Sequence, residues 1–203
     1  MKDIIIFEDD IHLANLLKSR INTIDNIKCE YIFSNPLDFF KNPIEADIYL
    51  LDIIMPEMNG LAAIEKILKL FPDSIIIMNT IKDDTDTIFK AMQLGALGYI
   101  DKQSFEIKFE EVFACVTNGG AYMTPKIARK VIQYINQSNK LTILLTDREK
   151  DIVNGIIDGL SYKLIAHRHD IAIDTVRMNV KKVYRKLKIN SKSELFKILR
   201  VKR

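Results

Sequence analysis

Glu8-Asp9-Asp10, Asp52, Thr80 and Lys102 are the residue types needed to take up a phosphoryl group, and each stands at the end of an apolar run. The runs are Ile4 to Phe7, Ile48 to Leu51, Ile75 to Asn79 and Gly98 to Asp101. If Glu8, Asp9 and Asp52 converge, they cannot all stay ionised uncompensated, because like charges raise one another's pKa. A hard divalent cation relieves the conflict. Mg²⁺ suits the site because it takes oxygen ligands, usually one or two carboxylates together with a substrate phosphate. Lys102 adds a second cation on the opposite side. A carboxylate can attack phosphorus to form an acyl phosphate, and the catalysis is then mostly positioning and charge neutralisation. Asp52 is the best nucleophile, because its strand lies between the others in the usual order.

The elements that position these groups follow from the hydrophobic pattern. Continuous Ile-rich runs alternating with helical patterns read as doubly buried strands of a parallel sheet, whose ligands bind outside the carboxyl ends of the strands. Helical patterns run from Ile11 to Ile21, Leu61 to Phe71, Thr85 to Leu94 and Phe105 to Thr117, and a further strand spans Ile27 to Phe33. A short segment punctuated by Asn35-Pro36 and Asn42-Pro43 follows that strand. The five-fold alternation predicts an α/β fold: a doubly wound, five-stranded, flavodoxin-like parallel sheet over residues 1–120. Asp10 reads as the cap of the first helix rather than a ligand. Gly119-Gly120 ends the fifth helix.

Charge divides the 203-residue chain. Residues 1–120 carry 11 basic and 20 acidic side chains, a net −9; residues 121–140 carry 4 basic and none acidic; residues 141–203 carry 15 and 7, a net +8. An acidic half and a basic tail imply an anionic partner for the tail, nucleic acid before membrane. The two cysteines, Cys29 and Cys115, sit among apolar neighbours without metal-ligand spacing and read as buried free thiols in a reducing compartment. No apolar run reaches the roughly 18 residues a membrane span needs, and the first residues are not signal-like, so a soluble, cytoplasmic protein is expected.

From Thr124-Pro125 to Gln137 runs another helical pattern, with Pro125 suited to a first helical position. Within the linker, 121–140, the Ser138-Asn139-Lys140 stretch is the best linker candidate. Thr146-Asp147-Arg148-Glu149 has the form of a capping box, and residues 141–203 read as four short helices broken at Gly159, near Ala172 and at Asn190. This is a second, small all-α domain.

Residues 3–118 resemble the receiver domain of bacterial two-component response regulators. The resemblance rests on Glu8-Asp9, Asp52-Ile53-Ile54-Met55-Pro56 with Gly60, Thr80, and Gly95-Ala96-Leu97-Gly98-Tyr99-Ile100-Asp101-Lys102. It implies that Asp52 accepts phosphoryl from a sensor histidine kinase. It also implies that Asp9, Asp52 and the carbonyl of Ile54 bind Mg²⁺, with Glu8 acting through water. Thr80 would bond a phosphoryl oxygen, Lys102 would pair with its charge, and Tyr99 would rotate inward as Thr80 moves. Ile81 stands where a small residue is usual and Gln103 where proline is frequent; the first narrows access to the phosphoryl group, and neither removes a catalytic group.

Leu145-Thr146-Asp147-Arg148-Glu149, Gly159-Leu160-Ser161, Lys163, Ile165-Ala166 and Thr175-Val176-Arg177 resemble the LuxR-type helix-turn-helix of NarL/FixJ-type regulators, with its motif at about residues 162–181. Such folds lay their second helix in the major groove of double-stranded DNA. Here that helix is expected from about Ile173 to Leu187, with Val176, Val180, Val183 and Leu187 as the apolar stripe. By the resemblance Arg177, Met178 and Lys181 face bases, and Lys182, Arg185 and Lys186 are better placed for phosphates. Ala172, His169, Leu164 and Asn179 depart from common forms of the motif, so base preference does not carry over. Ser191-Lys192-Ser193-Glu194 again has capping-box form and opens a last helix, which the family uses in dimer contact.

The sequence therefore reads as a phosphorylation-controlled transcription regulator that forms a homodimer when phosphorylated or DNA-bound. It is not an enzyme beyond its own phosphorylation and dephosphorylation. The rivals are a Mg²⁺-dependent phosphatase of the haloacid dehalogenase type, whose Asp-x-Asp spacing Glu8-Asp9-Asp10 lacks, and a DNA-binding protein indifferent to phosphorylation.

Overall fold

Every residue from Ile4 to Phe7 and from Ile48 to Leu51 is buried. Side chains alternate between the two faces of a strand, so such runs require cover on both sides. The computed structural model of the protein describes the backbone of residues 1–104 and 107–199, and the side chains of these apart from 137–144 and 197–199. Two compact units are present, Met1–Val131 and Ile132–Arg203.

In the first unit the strands β1 (Lys2–Phe7), β2 (Ile27–Phe33), β3 (Ile48–Leu51), β4 (Ile75–Thr80), β5 (Gly98–Asp101) and β6 (Tyr122–Met123) form one sheet in the order β2-β1-β3-β4-β5-β6. All pairs are parallel. The sheet thus has six strands rather than five. β6 is only two residues long, too short to show a period, and it pairs with Gly98 and Tyr99 of β5 directly after the turn at Gly119-Gly120.

One sheet face packs Ile5, Phe7, Tyr49, Leu51, Ile76, Met78 and Tyr99 against α2 (Pro36–Lys41), α3 (Gly60–Leu70) and α4 (Thr85–Gln93), through Phe39, Ala63, Ile64, Ile67, Ile88 and Ala91. The other packs Ile4, Ile6, Ile48, Leu50, Ile77 and Ile100 against α1 (Ile11–Ile21) and α5 (Phe109–Thr117), through Leu17, Ile21, Val112, Phe113 and Val116. Asp10 caps α1, accepting from the amides of His12 and Leu13 at 2.9 and 3.1 Å, as expected. The helix expected from Phe105 begins at Phe109; residues 105 and 106 lie outside the described residues. Both cysteines are free, but only Cys29 is buried, whereas Cys115 is half-buried.

α6 spans Pro125–Leu144 and so runs through Ser138-Asn139-Lys140, the linker candidate of the sequence, beyond the expected end of its helical pattern at Gln137. No glycine or proline lies in that stretch to stop a helix already under way. The second unit continues with α7 (Asp147–Ile157), α8 (Tyr162–Arg168), α9 (Ile173–Leu187) and α10 (Lys192–Leu199). Its core joins Ile152, Val153, Ile156, Ile165, Val176, Val180, Val183, Leu187 and Leu195. Among the described residues, no helix is long and apolar enough to cross a membrane.

Gly60 opens α3 against the loop that carries Asp52. A Cβ there would lie 2.0 Å from the Asp52 carbonyl oxygen, a contact only backbone movement can relieve. Gly60→Ala should therefore destabilise the protein by about 1–3 kcal/mol, the range for overpacked sites. Chemical denaturation measures this, and an unchanged midpoint would contradict the close approach.

Candidate functional site

β1 and β3 are neighbours in space although about forty residues apart in sequence, and the chain reverses its winding between them. Carboxylates that follow these two strands must therefore meet at one rim. Glu8, Asp9 and Asp52 each offer an oxygen within 4.8 Å of the others. Lys102, from the end of β5, places its Nζ 2.6 Å from Asp52 Oδ2 and 2.6 Å from Glu8 Oε2. Asp52 Oδ1 accepts from the amides of Ile53 and Ile54, at 2.6 and 3.2 Å.

These groups open into a cavity of about 250 Å³ that Asp10, Leu13, Ile54 and Ile81 also line. Burial raises the Glu8 carboxyl above its ordinary value, against the pull of Lys102 and with a further push from Asp52. Burial alone would lower Lys102, but its bonds to Asp52 and Glu8 hold the ammonium above its ordinary value.

With all groups ionised, Glu8, Asp9, Asp52 and Lys102 sum to −2, the charge a divalent cation cancels. Among the described residues, buried Glu8 Oε2 meets the Lys102 ammonium at 2.6 Å and no other polar partner. A free lone pair on a buried oxygen, in an all-oxygen donor set, fits a hard cation such as Mg²⁺.

Thr80 is fully buried, and its Oγ1 accepts from the Lys82 amide at 3.3 Å rather than lining the cavity. The Tyr99 ring, expected to swing inward, is already 1 % exposed in this structure, with its hydroxyl donating to the Lys82 carbonyl at 2.6 Å. Burial and the nearby Asp84 and Asp83 raise its pKa.

In the second unit α8 and α9 form the helix-turn-helix. Val176, Val180, Val183 and Leu187 are all buried, so the opposite side of α9 is presented to solvent. Arg177, Met178, Lys181, Lys182 and Arg185 lie on that exposed side. Lys186 does not. Its Nζ is 2.6 Å from Oε2 of Glu149, a side chain only 4 % exposed. Glu149 also completes the expected capping box with Thr146 at the start of α7. Lys186 is thus spent on holding α9 to α7, a partnership no local spacing announces because 37 residues separate the pair.

The family of response regulator receiver domains matches residues 4–114, and the luxR family of bacterial regulatory proteins matches residues 144–199. The transcriptional regulatory protein YdfI of Bacillus subtilis is 30% identical over 204 residues, covering 96% of this chain and 93% of its own. The chain belongs to the NarL/FixJ-type response regulators. The oxygen regulatory protein NreC of Staphylococcus carnosus is 30% identical over 160 residues, 74% of each chain. Among solved structures, RcsB of Salmonella typhimurium aligns over 98% of both chains with a TM-score of 0.65 at 17% identity, a likeness of fold. Membership sets aside the phosphatase reading.

Within this regulator the departures from the common pattern have local consequences. Ile81, 52 % exposed, stands at the cavity rim. His169 is the C-cap of α8, and its carbonyl accepts from Arg148 at 2.8 Å. Asn179 donates to the Thr175 carbonyl at 2.8 Å. Leu164 is 55 % exposed. Ala172 is the N-cap of α9 and supplies no side-chain bond, while Asp174 is held by Arg177 at 3.0 Å.

Ala172→Ser should stabilise the regulator's second unit by about 1 kcal/mol, the usual contribution of a capping hydroxyl over alanine. Thermal melts test this; no gain would mean that the free amides of α9 are already satisfied. Lys186→Ala should cost about 1.5–3 kcal/mol, the range for a hydrogen bond to a charged group. Burial raises Glu149, but Lys186 and Thr146 together bring it below its ordinary 4.5. The stabilisation is therefore complete above that pH and fades as acid protonates the carboxylate. Denaturation at neutral and acidic pH should show the deficit of the Lys186 variant shrinking.

Proposed function

We propose that Asp52 is the phosphoacceptor of a two-component phosphorelay and that its phosphorylation controls binding of the second unit to DNA. What supports this most is that Asp52 shares the Lys102 ammonium with Glu8 and lies within 4.8 Å of Glu8 and Asp9, which gives one carboxylate both a cationic partner and an acidic cluster that fits a metal ion. Glu8, Asp9, Asp52 and the carbonyl of Ile54 would hold Mg²⁺. When bound, the ion would neutralise charge on the incoming phosphoryl group.

Asp52 attacks the phosphorus of a sensor kinase's phosphohistidine; the new O–P bond forms as the P–N bond breaks, and the imidazole leaves with the electron pair. Lys102 steadies the charge that remains on the phosphoryl oxygens, and Thr80 turns its hydroxyl toward one of them. Tyr99, already inward, keeps the loop after Thr80 in place. The protein works in the cytoplasm, where both the kinase domain and DNA are found. Its chemistry is confined to its own phosphorylation and dephosphorylation.

On the output side, Arg177, Met178 and Lys181 reach base edges, and Lys182 and Arg185 reach phosphates, in a homodimer that forms on phosphorylation or on DNA. Lys186, tied to Glu149, is assigned to the fold instead. Asp174 must release Arg177 when the side chain enters the groove.

Asp52→Asn should abolish labelling by acetyl phosphate with Mg²⁺, and Asp9→Asn should slow it through weaker metal binding; undiminished labelling of the Asp52 variant would refute the assignment. Arg177→Ala should cost roughly 1–3 kcal/mol on specific DNA and little on random DNA. Equal losses on both would move Arg177 to the phosphate contacts. DNA affinity that ignores labelling of Asp52 would favour an output independent of phosphorylation.

A further inference from the structure

The first turns of α6 are fastened to both strand ends that carry the proposed phosphoryl contacts. Lys126 and Lys130 are four residues apart, so they share one face of the helix. Asp83, three residues after Thr80, receives both ammoniums on Oδ2, each at 2.8 Å. The Asp83 carbonyl accepts from Lys130 as well, at 2.6 Å. Lys126 reaches in addition to Asp101 Oδ2 at 2.8 Å, and Asp101 is buried and immediately precedes Lys102. Two lysines and two aspartates therefore form one network, and the lysines hold Asp83 down to about 2.

The loop between Thr80 and Asp83 has little slack. Thr80 Oγ1 accepts from the Lys82 amide, the Lys82 carbonyl accepts from Tyr99, and the next residue is Asp83. A turn of the Thr80 hydroxyl toward Asp52 gives up its bond from the Lys82 amide and frees the loop to shift, and a carboxylate shared between two ammoniums cannot follow without lengthening one contact. Each such pair is only partly buried and thus weak enough to give way. We propose that Asp83, Lys126 and Lys130 form a clamp that holds the start of α6 in the unphosphorylated protein and loosens when Asp52 is phosphorylated. The inference rests on the reading of Asp52 and Thr80 given above. Through the clamp, the helix that leads into the DNA-binding unit receives the state of β4 directly through Asp83 and that of β5 through Asp101.

Hydrogen exchange followed by mass spectrometry on the full-length protein, with Mg²⁺ and with or without acetyl phosphate, tests the clamp. In the unaltered protein, labelling of Asp52 should speed exchange in segments 80–90 and 124–132 together. Loss of a partly exposed ion pair corresponds to roughly a 1.4- to 5-fold change per pair. Asp83→Asn leaves Lys126 its contact with Asp101 and Lys130 its contact with the carbonyl, so the fold is kept. This variant should still be labelled on Asp52, exchange faster at 124–132 before labelling, and gain no more there afterwards. The pair of changes Lys126→Gln and Lys130→Gln should reproduce that result from the other side.

If Asp52 is labelled and segment 124–132 responds in the Asp83 variant as in the unaltered protein, the clamp is wrong while the phosphoacceptor reading stands. Labelling without any response at 124–132 in the unaltered protein overturns it likewise. No label on Asp52 overturns the phosphoacceptor reading and the clamp with it.

Discussion

Mutual repulsion among Glu8, Asp9 and Asp52 is the constraint around which the first unit is built. Two unit charges 4 Å apart repel by about 4 kcal/mol near a protein surface, so a flexible chain would not hold three carboxylates together. Here two of them are fixed at the ends of strands whose inner residues, Ile4 to Phe7 and Ile48 to Leu51, are all buried. Each such side chain contributes about 1.5–3 kcal/mol on burial, so the eight together match or exceed the repulsion of the three carboxylate pairs. Lys102, which reaches in from a third strand to touch both Asp52 and Glu8, offsets one of the three charges. A site of this kind stores electrostatic free energy that a cation, or a change of charge on one of the carboxylates, can release.

The same logic, with the sign reversed, organises the second unit. A strongly basic segment must fold without an acidic core to balance it, and it does so by placing its charges on one side of α9 and four aliphatic side chains on the other. Among the described residues of this unit one carboxylate is buried, Glu149, and it caps α7 and anchors Lys186. That pairing adds a polar tie between α9 and α7 beside their shared apolar core.

Much of this was legible in the sequence because the signals are local. Apolar runs ending in Glu, Asp or Lys mark β1, β3 and β5, and the stripe from Val176 to Leu187 marks the packed side of α9. β6 escaped because two residues carry no period. Ser138-Asn139-Lys140 looked like a linker because its composition is polar, yet polarity alone does not stop a helix when no glycine or proline intervenes. Partnerships across long stretches of chain were invisible for a different reason. Lys130 and Asp83 lie 47 residues apart and Lys186 and Glu149 lie 37 apart, and each looks like an ordinary solvated charge until the fold brings it to its partner. The inward position of Tyr99 and the burial of Thr80 belong to the same class, being properties of packing rather than of pattern.

The division of α9 into a packed side and an open side also bears on how such proteins diversify. Arg177, Met178, Lys181 and Lys182 contribute no side chain to the apolar core. Surface positions away from special features usually tolerate exchange within about 0.5 kcal/mol. On the proposed assignment of DNA contacts, a duplicated copy of this gene could therefore be retargeted to a new operator by altering a handful of these positions while its folding stability stayed the same. Lys186 lies outside that freedom, since changing it would strand Glu149. The limit on divergence is thus drawn along the helix itself, with its early turns open to rewriting and its last turn bound to the scaffold.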